Sequence, residues 1–229
     1  MANYLNCKKG IFLRRPNRFI AEVEIDGKTE TVHVKNTGRM KELFLPGAEV
    51  VCDFVDSKTR KTKYDLIFVN KDGNWFNVDS QVPNLVVFEG LKQGKVKGIP
   101  SPDLLKREHS YTDSRIDIYG EAGPIRILME VKGVTYEKDR VAKFPDAPTT
   151  RGVKHLHSLM RAVKEGYKAY AFFLLQFTGA DYFTPQDERD PLFGETLRLA
   201  KKEGLEILVY DSLVTASSIE IHREVPLRL

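Results

Sequence analysis

Ser114-Arg115-Ile116-Asp117-Ile118 and, beyond a turn at Glu121-Ala122-Gly123-Pro124, Ile127-Leu128-Met129-Glu130-Val131-Lys132 decide the reading of this chain. Two apolar runs of strand length on either side of a Gly-Pro turn predict a β-hairpin, Arg115 to Tyr119 with Ile125 to Val134. Glu130 and Lys132 are two residues apart on one strand, so both leave it on the same face. In such a hairpin Asp117 can lie beside Glu130. A charge inside an apolar strand is expensive unless it is paired or binds a metal. Two adjacent carboxylates make a hard-oxygen site suited to Mg²⁺ or Mn²⁺. A neighbouring lysine can orient or help deprotonate a water, or neutralise a phosphate in the transition state. Those are the requirements of phosphodiester hydrolysis. The spacing alone is a weak signal, because Asp, Glu and Lys are common and a chance cluster is the bland alternative.

Outward from this hairpin the pattern is α/β. Pro83 to Gly90 reads as a short helix with a glycine stop, and Lys92 to Pro102 as a Lys/Gly/Pro loop. Thr150 can cap a helix that places Leu156, Leu159, Met160 and Val163 on one face and ends at Gly166. Tyr167 to Gln176 is a core strand. Asp190-Pro191 opens a helix that runs to Gly204, and Leu205 to Tyr210 is a further strand. Before Asp79 the reading is β: Phe19 to Ile25, Thr31 to Val34, Ala48 to Val55, Tyr64 to Val69 and Trp75 to Val78. Turns fall at Asp26-Gly27, Pro46-Gly47 and Asp72-Gly73, and together they suggest a small β-barrel. The expected division is residues 1–80 and 81–229.

The chain has 229 residues, 41% hydrophobic and 30% charged, the composition of an ordinary globular protein with a sizeable core. No apolar run approaches the length of a membrane span, and the first residues lack a signal-peptide core. Two cysteines, Cys7 and Cys52, form neither a metal motif nor a disulfide framework, so a cytoplasmic protein with free thiols is expected. Through residue 100 there are 17 Lys/Arg against 12 Asp/Glu, and after it 19 against 20. The basic excess in the front part points weakly to a polyanionic partner.

With these residues in place the chain resembles the PD-(D/E)xK nuclease superfamily, whose core is a helix, a three-stranded meander, a helix and a strand. It is more closely similar to the sugar fermentation stimulation protein A family. The resembling blocks are Arg15 to Phe19, Val32 to Met40, Pro46 to Ala48, Pro83-Asn84, Ser114 to Asp117, Glu130 to Val134, Phe144 to Pro148, Arg151 to Leu156 and Asp190-Pro191. They keep the family order over nearly the whole chain. The resemblance implies an OB-like N-terminal β-barrel followed by a restriction-endonuclease-like mixed sheet with flanking helices. It also implies DNA binding and a regulatory link to sugar (maltose) metabolism. Carried over, Asp117 and Glu130 are metal ligands and Lys132 the catalytic lysine. A further acid from the first helix or strand would be Glu89 or Glu108, and either can equally be a solvated charge. Gln176 can point into the site or be a buried glutamine satisfied by backbone.

Candidate DNA contacts are Arg14, Arg15, Arg18, Asn36, Arg39 and Lys41 in the front domain, and Arg115, Arg151, Lys154 and His155 in the second. A helix N-terminus suits phosphate, and OB-like barrels bind nucleic acid with basic grooves and stacking aromatics. Phe12, Phe19 and Phe44 interleave with the front charges, but all can be core, and Phe19 is expected to be. The Asn36–Arg39 loop can instead be a structural turn, and Lys58, Arg60, Lys61 and Lys63 can form a phosphate-contacting arm or a solvated run. His157 reads as a packing or surface histidine. The function expected is a DNA-binding protein with a metal-dependent nuclease site and little sequence preference. The alternatives are a non-catalytic DNA-binding regulator and a barrel that binds RNA or oligosaccharide. Many nucleases of this fold act as homodimers, but no interface is legible.

Overall fold

The computed structural model describes residues 1–112 and 114–229. The front half carries β1 (Ala2–Asn3), β2 (Cys7–Arg14), β3 (Ile20–Ile25), β4 (Lys28–Val34), β5 (Glu49–Phe54), β6 (Tyr64–Lys71) and β7 (Asn74–Asn77). On β3, Ala21, Val23 and Ile25 are buried while Glu22 and Glu24 alternate outward, so one face makes a core. Asp26 and Gly27 both have positive φ (51° and 75°), the two-residue turn whose twist matches a hairpin. Asp72 and Gly73 do the same between β6 and β7. Strands β2 to β6 pair in the order β4-β3-β2-β5-β6, and a parallel pairing of β4 with β6 closes them into a five-stranded barrel. At Gly10 a Cβ would meet Val23 Cγ1 at 2.6 Å and Glu24 O at 2.7 Å. That close approach is where β2 crosses the barrel, and it requires glycine.

The second half carries α1 (Val82–Lys92), β8 (Leu104–Tyr111), β9 (Ser114–Ala122), β10 (Ile125–Val134), β11 (Glu137–Lys138), β12 (Val141–Phe144), α2 (Thr150–Lys164), β13 (Lys168–Leu175), β14 (Tyr182–Pro185), α3 (Pro191–Lys202), β15 (Glu206–Val214) and β16 (Ser218–Glu224). Its main sheet has the order β1-β16-β15-β13-β10-β9-β8. β13 pairs parallel with both β10 and β15, and the other pairs are antiparallel. Every residue of β13 from Ala169 to Leu175 is buried, as a central parallel strand between two helical layers requires. Leu156 and Leu159 of α2 with Phe193 and Leu197 of α3 cover one face; Val86, Val87 and Leu91 of α1 cover the other. Each fully buried Phe or Leu there contributes roughly 1.5–3 kcal/mol.

Helix α3 starts as expected, with Asp190 Oδ1 accepting from Phe193 N at 3.1 Å and proline first in the helix. The cap of α2 is Thr149, one residue before the expected Thr150; its Oγ1 accepts from Gly152 N at 3.0 Å. The expectation missed β1, β2, β8, β11, β12, β14 and β16. β8 is an outer strand whose middle is Lys106-Arg107-Glu108, and charge of that kind is how an open edge is kept from aggregating. β1, at the very start of the chain, pairs with β16 in the second sheet rather than with the barrel. Among the described residues no helix is long and apolar enough to cross a membrane.

Gln176 joins the two halves. It is buried, and its Nε2 donates to Asn77 Oδ1 at 2.9 Å, Asp79 O at 3.0 Å and Asn77 O at 3.1 Å. The backbone-satisfied glutamine, rather than the one aimed into a site, is what the structure holds.

Candidate active site and basic cleft

β9 and β10 pair regularly from their turn as far as Ile118↔Met129, and there the ladder stops. Asp117 takes it over: its Oδ2 accepts from Val131 N at 2.8 Å and its Oδ1 from Asn84 Nδ2 of α1 at 2.7 Å. Ile116 packs in the core under α2 and Ile118 in the core under α1. The in/out alternation therefore breaks at Asp117. Opposite it on β8, Glu108 has a left-handed backbone (φ 60°), and the regular β8–β9 pairing skips this pair. The distortion turns Asp117 to the opening between the strands.

Glu130 and Lys132 lie together on β10, Nζ to Oε1 2.6 Å. Glu130 Oε1 also meets His155 Nδ1 of α2. Arg151 Nε donates to His155 Nε2 at 3.4 Å, which leaves Nδ1 as the protonated nitrogen that donates to Glu130. Lys132 Nζ is 3.3 Å from the same Nδ1. Among the described residues Glu130 Oε2, buried, has no partner. Behind the cluster a void of about 10 Å³, walled by Leu156, Leu159, Phe173 and Phe193, is at the lower limit for one water. Burial pushes the Asp117 carboxyl above its ordinary range, reinforced by the charge of Glu130 and opposed by its hydrogen bonds. Burial pushes Glu130 the same way, but the hydrogen bond from His155 and the charge of Lys132 outweigh it and hold the group below the ordinary range. Two neighbouring carboxylates are thus driven apart in proton affinity.

Neither sequence candidate for a further acid joins this set. Glu108 is exposed and paired with Arg115, which commits both charges across the β8–β9 pair. The side chain of α1 that reaches Asp117 is Asn84, and Glu89 lies more than a turn further along the helix. Asn84 was not singled out from the sequence as a site residue; its place beside Pro83 at the helix start was the available signal. Among the described residues no three His, Cys, Asp or Glu side chains form a set that could hold a metal ion. Two carboxylates with an orphan oxygen still fit Mg²⁺, which is often bound through one or two carboxylates plus waters.

The basic candidates separate into committed and uncommitted groups. Arg14 forms a two-point pair with Glu22, 2.7 and 2.8 Å. Arg15 departs from the expected role: its guanidinium donates to the carbonyls of Gly38, Arg39, Arg18 and Asn36 at 2.6–2.8 Å and lies over Phe44. It builds the loop. Asn36 does the same, donating to Val78 O at 3.2 Å and accepting from Gly38 N at 2.8 Å. In the lysine-rich run Arg60 is paired with Asp65. Arg151 reaches His155, Lys154 and His157 are exposed, and His155 is buried against Glu130 rather than facing a ligand. Arg18, Arg39 and Lys41, with Arg15, Asn17 and Phe44, line a cleft of about 330 Å³ on the barrel. Phe12 and Phe44 are core, but Phe19 is not: it is 54% exposed, because it precedes β3 at the mouth of the barrel.

A closed barrel followed by a mixed sheet with this split hairpin defines an OB-like domain joined to a nuclease-type fold. Residues 13–78 match the SfsA N-terminal OB domain, and residues 81–218 match the sugar fermentation stimulation protein RE domain. The chain belongs to the sugar fermentation stimulation protein family. A sugar fermentation stimulation protein homolog of Desulfitobacterium hafniense is 51% identical over 95% of this chain and 94% of its own length. One of Ruminiclostridium cellulolyticum is 47% identical over 99% of both. A solved structure, Pyrococcus furiosus SfsA in complex with Ca²⁺, matches with a TM-score of 0.88 at 25% identity and covers 100% of both chains.

Proposed function

We propose that this chain binds DNA and hydrolyses phosphodiester bonds at a divalent-metal site built on Asp117 and Glu130, with Lys132 beside it. The carrying observation is the convergence of Asp117, Glu130 and Lys132 at a split hairpin, with one buried Glu130 oxygen unpartnered. The fold and the Ca²⁺ complex of the Pyrococcus furiosus relative support it. Asp117 and Glu130 would hold Mg²⁺ or Mn²⁺, which when bound supplies a more acidic water and charge neutralisation at the phosphate. The residues of the chain do the rest. Lys132 places an ammonium where charge builds on the phosphoryl oxygens. His155 and Arg151 fix one Glu130 oxygen, Asn84 and Val131 N fix Asp117, and apolar side chains of α2 and α3 wall the cluster from behind.

A second reading, a DNA-binding regulator of sugar-metabolism genes that does not cut, is favoured by the absence of a three-ligand set among the described residues. One experiment separates them. Wild type, Glu130→Gln and Lys132→Ala are titrated with Mg²⁺ and Mn²⁺ against labelled single-stranded, duplex and flap DNA, with binding measured on the same samples. Metal-dependent cutting lost in both variants with binding kept supports the nuclease. Binding without cutting on every substrate supports the regulator.

A further inference from the structure

We infer that the barrel cleft is a single-strand subsite, in which phosphates meet Arg18, Arg39 and Lys41 and an unpaired base stacks on Phe19. The inference rests on the DNA-binding reading and adds the form of DNA taken. Phe19 is exposed and makes no ring contact among the described residues. An exposed phenylalanine is usually incidental; the main chain of this one is fixed on both sides. Asn17 Oδ1 accepts from Phe19 N at 2.9 Å and from Ile20 N at 3.0 Å, and Phe19 O accepts from Val34 N at 2.8 Å. Asn17 itself lines the cleft, and Arg18 is the next residue. No acidic side chain lines the cleft, and no ion pair holds Arg18, Arg39 or Lys41 among the described residues. The arrangement is three uncommitted cations in the cleft and, one residue beyond Arg18, an exposed ring on a fixed main chain.

That combination selects among nucleic acids. Cations alone grip any phosphate backbone. An aromatic face adds affinity only for a base whose own face is free, which an intact duplex does not offer. A cleft of about 330 Å³ also matches the size of a small-ligand site rather than a duplex groove. The loop that carries Arg39 also carries Asn36, which walls a pocket of about 120 Å³ shared with Gly133 and Val134, the residues after Lys132.

The test uses the full chain and fluorescence anisotropy, with a labelled oligo-dT strand of about 12 nucleotides and the same strand annealed to oligo-dA, over a salt series. Wild type is expected to hold the single strand tighter than the duplex. Phe19→Ala is expected to lose ~10-fold on the single strand, the effect of removing one stacked base, and to leave duplex binding unchanged. Phe19→Trp keeps the affinity. Arg39→Ala and Lys41→Ala each lower the salt slope on the single strand by about 0.7. Equal or tighter duplex binding, or wild-type single-strand affinity in Phe19→Ala, overturns the inference and leaves DNA binding standing. Binding of neither form removes the DNA reading together with the inference.

Discussion

Asp211 on β15 and Glu130 on β10 are both buried carboxylates in the same sheet, and their surroundings are opposite. Asp211 is saturated. Its Oδ1 accepts from His222 Nδ1 at 3.0 Å and Arg223 N at 3.1 Å, and its Oδ2 from Arg223 Nε at 3.1 Å and Gly179 N at 3.2 Å. Glu130 puts Lys132 and His155 on one oxygen and leaves the other bare. A buried acceptor without a partner costs about 1–3 kcal/mol, so the bare oxygen is tolerated rather than stabilising. The saturated carboxylate pins a bulged strand pair and the loop beside it. The unsaturated one keeps capacity for a cation. Burial alone does not distinguish a structural acid from a chemical one; the count of partners does.

The sharpest test of this contrast is activity. Lys132→Ala and Glu130→Gln are expected to lower any metal-dependent cleavage by about 10²-fold or more, read by gel on labelled DNA. Both should unfold within a few degrees of wild type. If Glu130→Gln instead destabilises as strongly as a change at Asp211, Glu130 is structural and the contrast fails. Next in size, Asp211→Ala strips the Gly179 N–H and the Arg223 N–H and guanidinium of their buried acceptor. A loss of about 3 kcal/mol is expected, or a Tm lower by ~6–12 °C for a chain of this length, by calorimetry.

Gly133→Ala probes the seam between the site and Gln176. An added Cβ would meet Gln176 Oε1 at 2.4 Å and Pro83 Cγ at 2.7 Å. A destabilisation of about 1–3 kcal/mol by urea unfolding is expected, and a neutral result would show the seam to be pliant. The smallest effect is a pH dependence at a third carboxylate, Asp65 in the barrel. Burial works to raise it, but the hydrogen bond from Arg60 and the charge of Lys35 hold it below the usual range. Its contribution is therefore present above about pH 4 and lost as pH falls below that. Asp65→Asn should flatten the acid limb of the urea midpoint between pH 3 and pH 5. An unchanged limb would assign acid lability elsewhere.

Much of the fold was legible because it rests on local signals. The Asp26-Gly27 and Asp72-Gly73 turns, the Asp190-Pro191 helix start and the run from Tyr167 to Gln176 each carry their structure in a few residues. β8 and β16 carry theirs in pairing. Their charges read as surface, and only the neighbouring strands make them part of a sheet. The site divides in the same way. The spacing of Glu130 and Lys132 is enough to place both on one face of a strand. Nothing local brings Asn84 to Asp117, 33 residues further on, or ties His155 to Glu130 rather than to a phosphate.

By itself, the sequence determined the barrel-then-sheet order, the hairpin that holds Asp117, Glu130 and Lys132, and the family, because strand alternation, turn chemistry and motif spacing are properties of short segments. Only the tertiary structure decided which charges are committed: Arg15 to four carbonyls, Glu108 to Arg115, His155 to Glu130, while Arg18, Arg39, Lys41 and the exposed ring of Phe19 stand clear. Commitment depends on partners that the fold brings from distant parts of the chain, and on burial, which no single segment can specify.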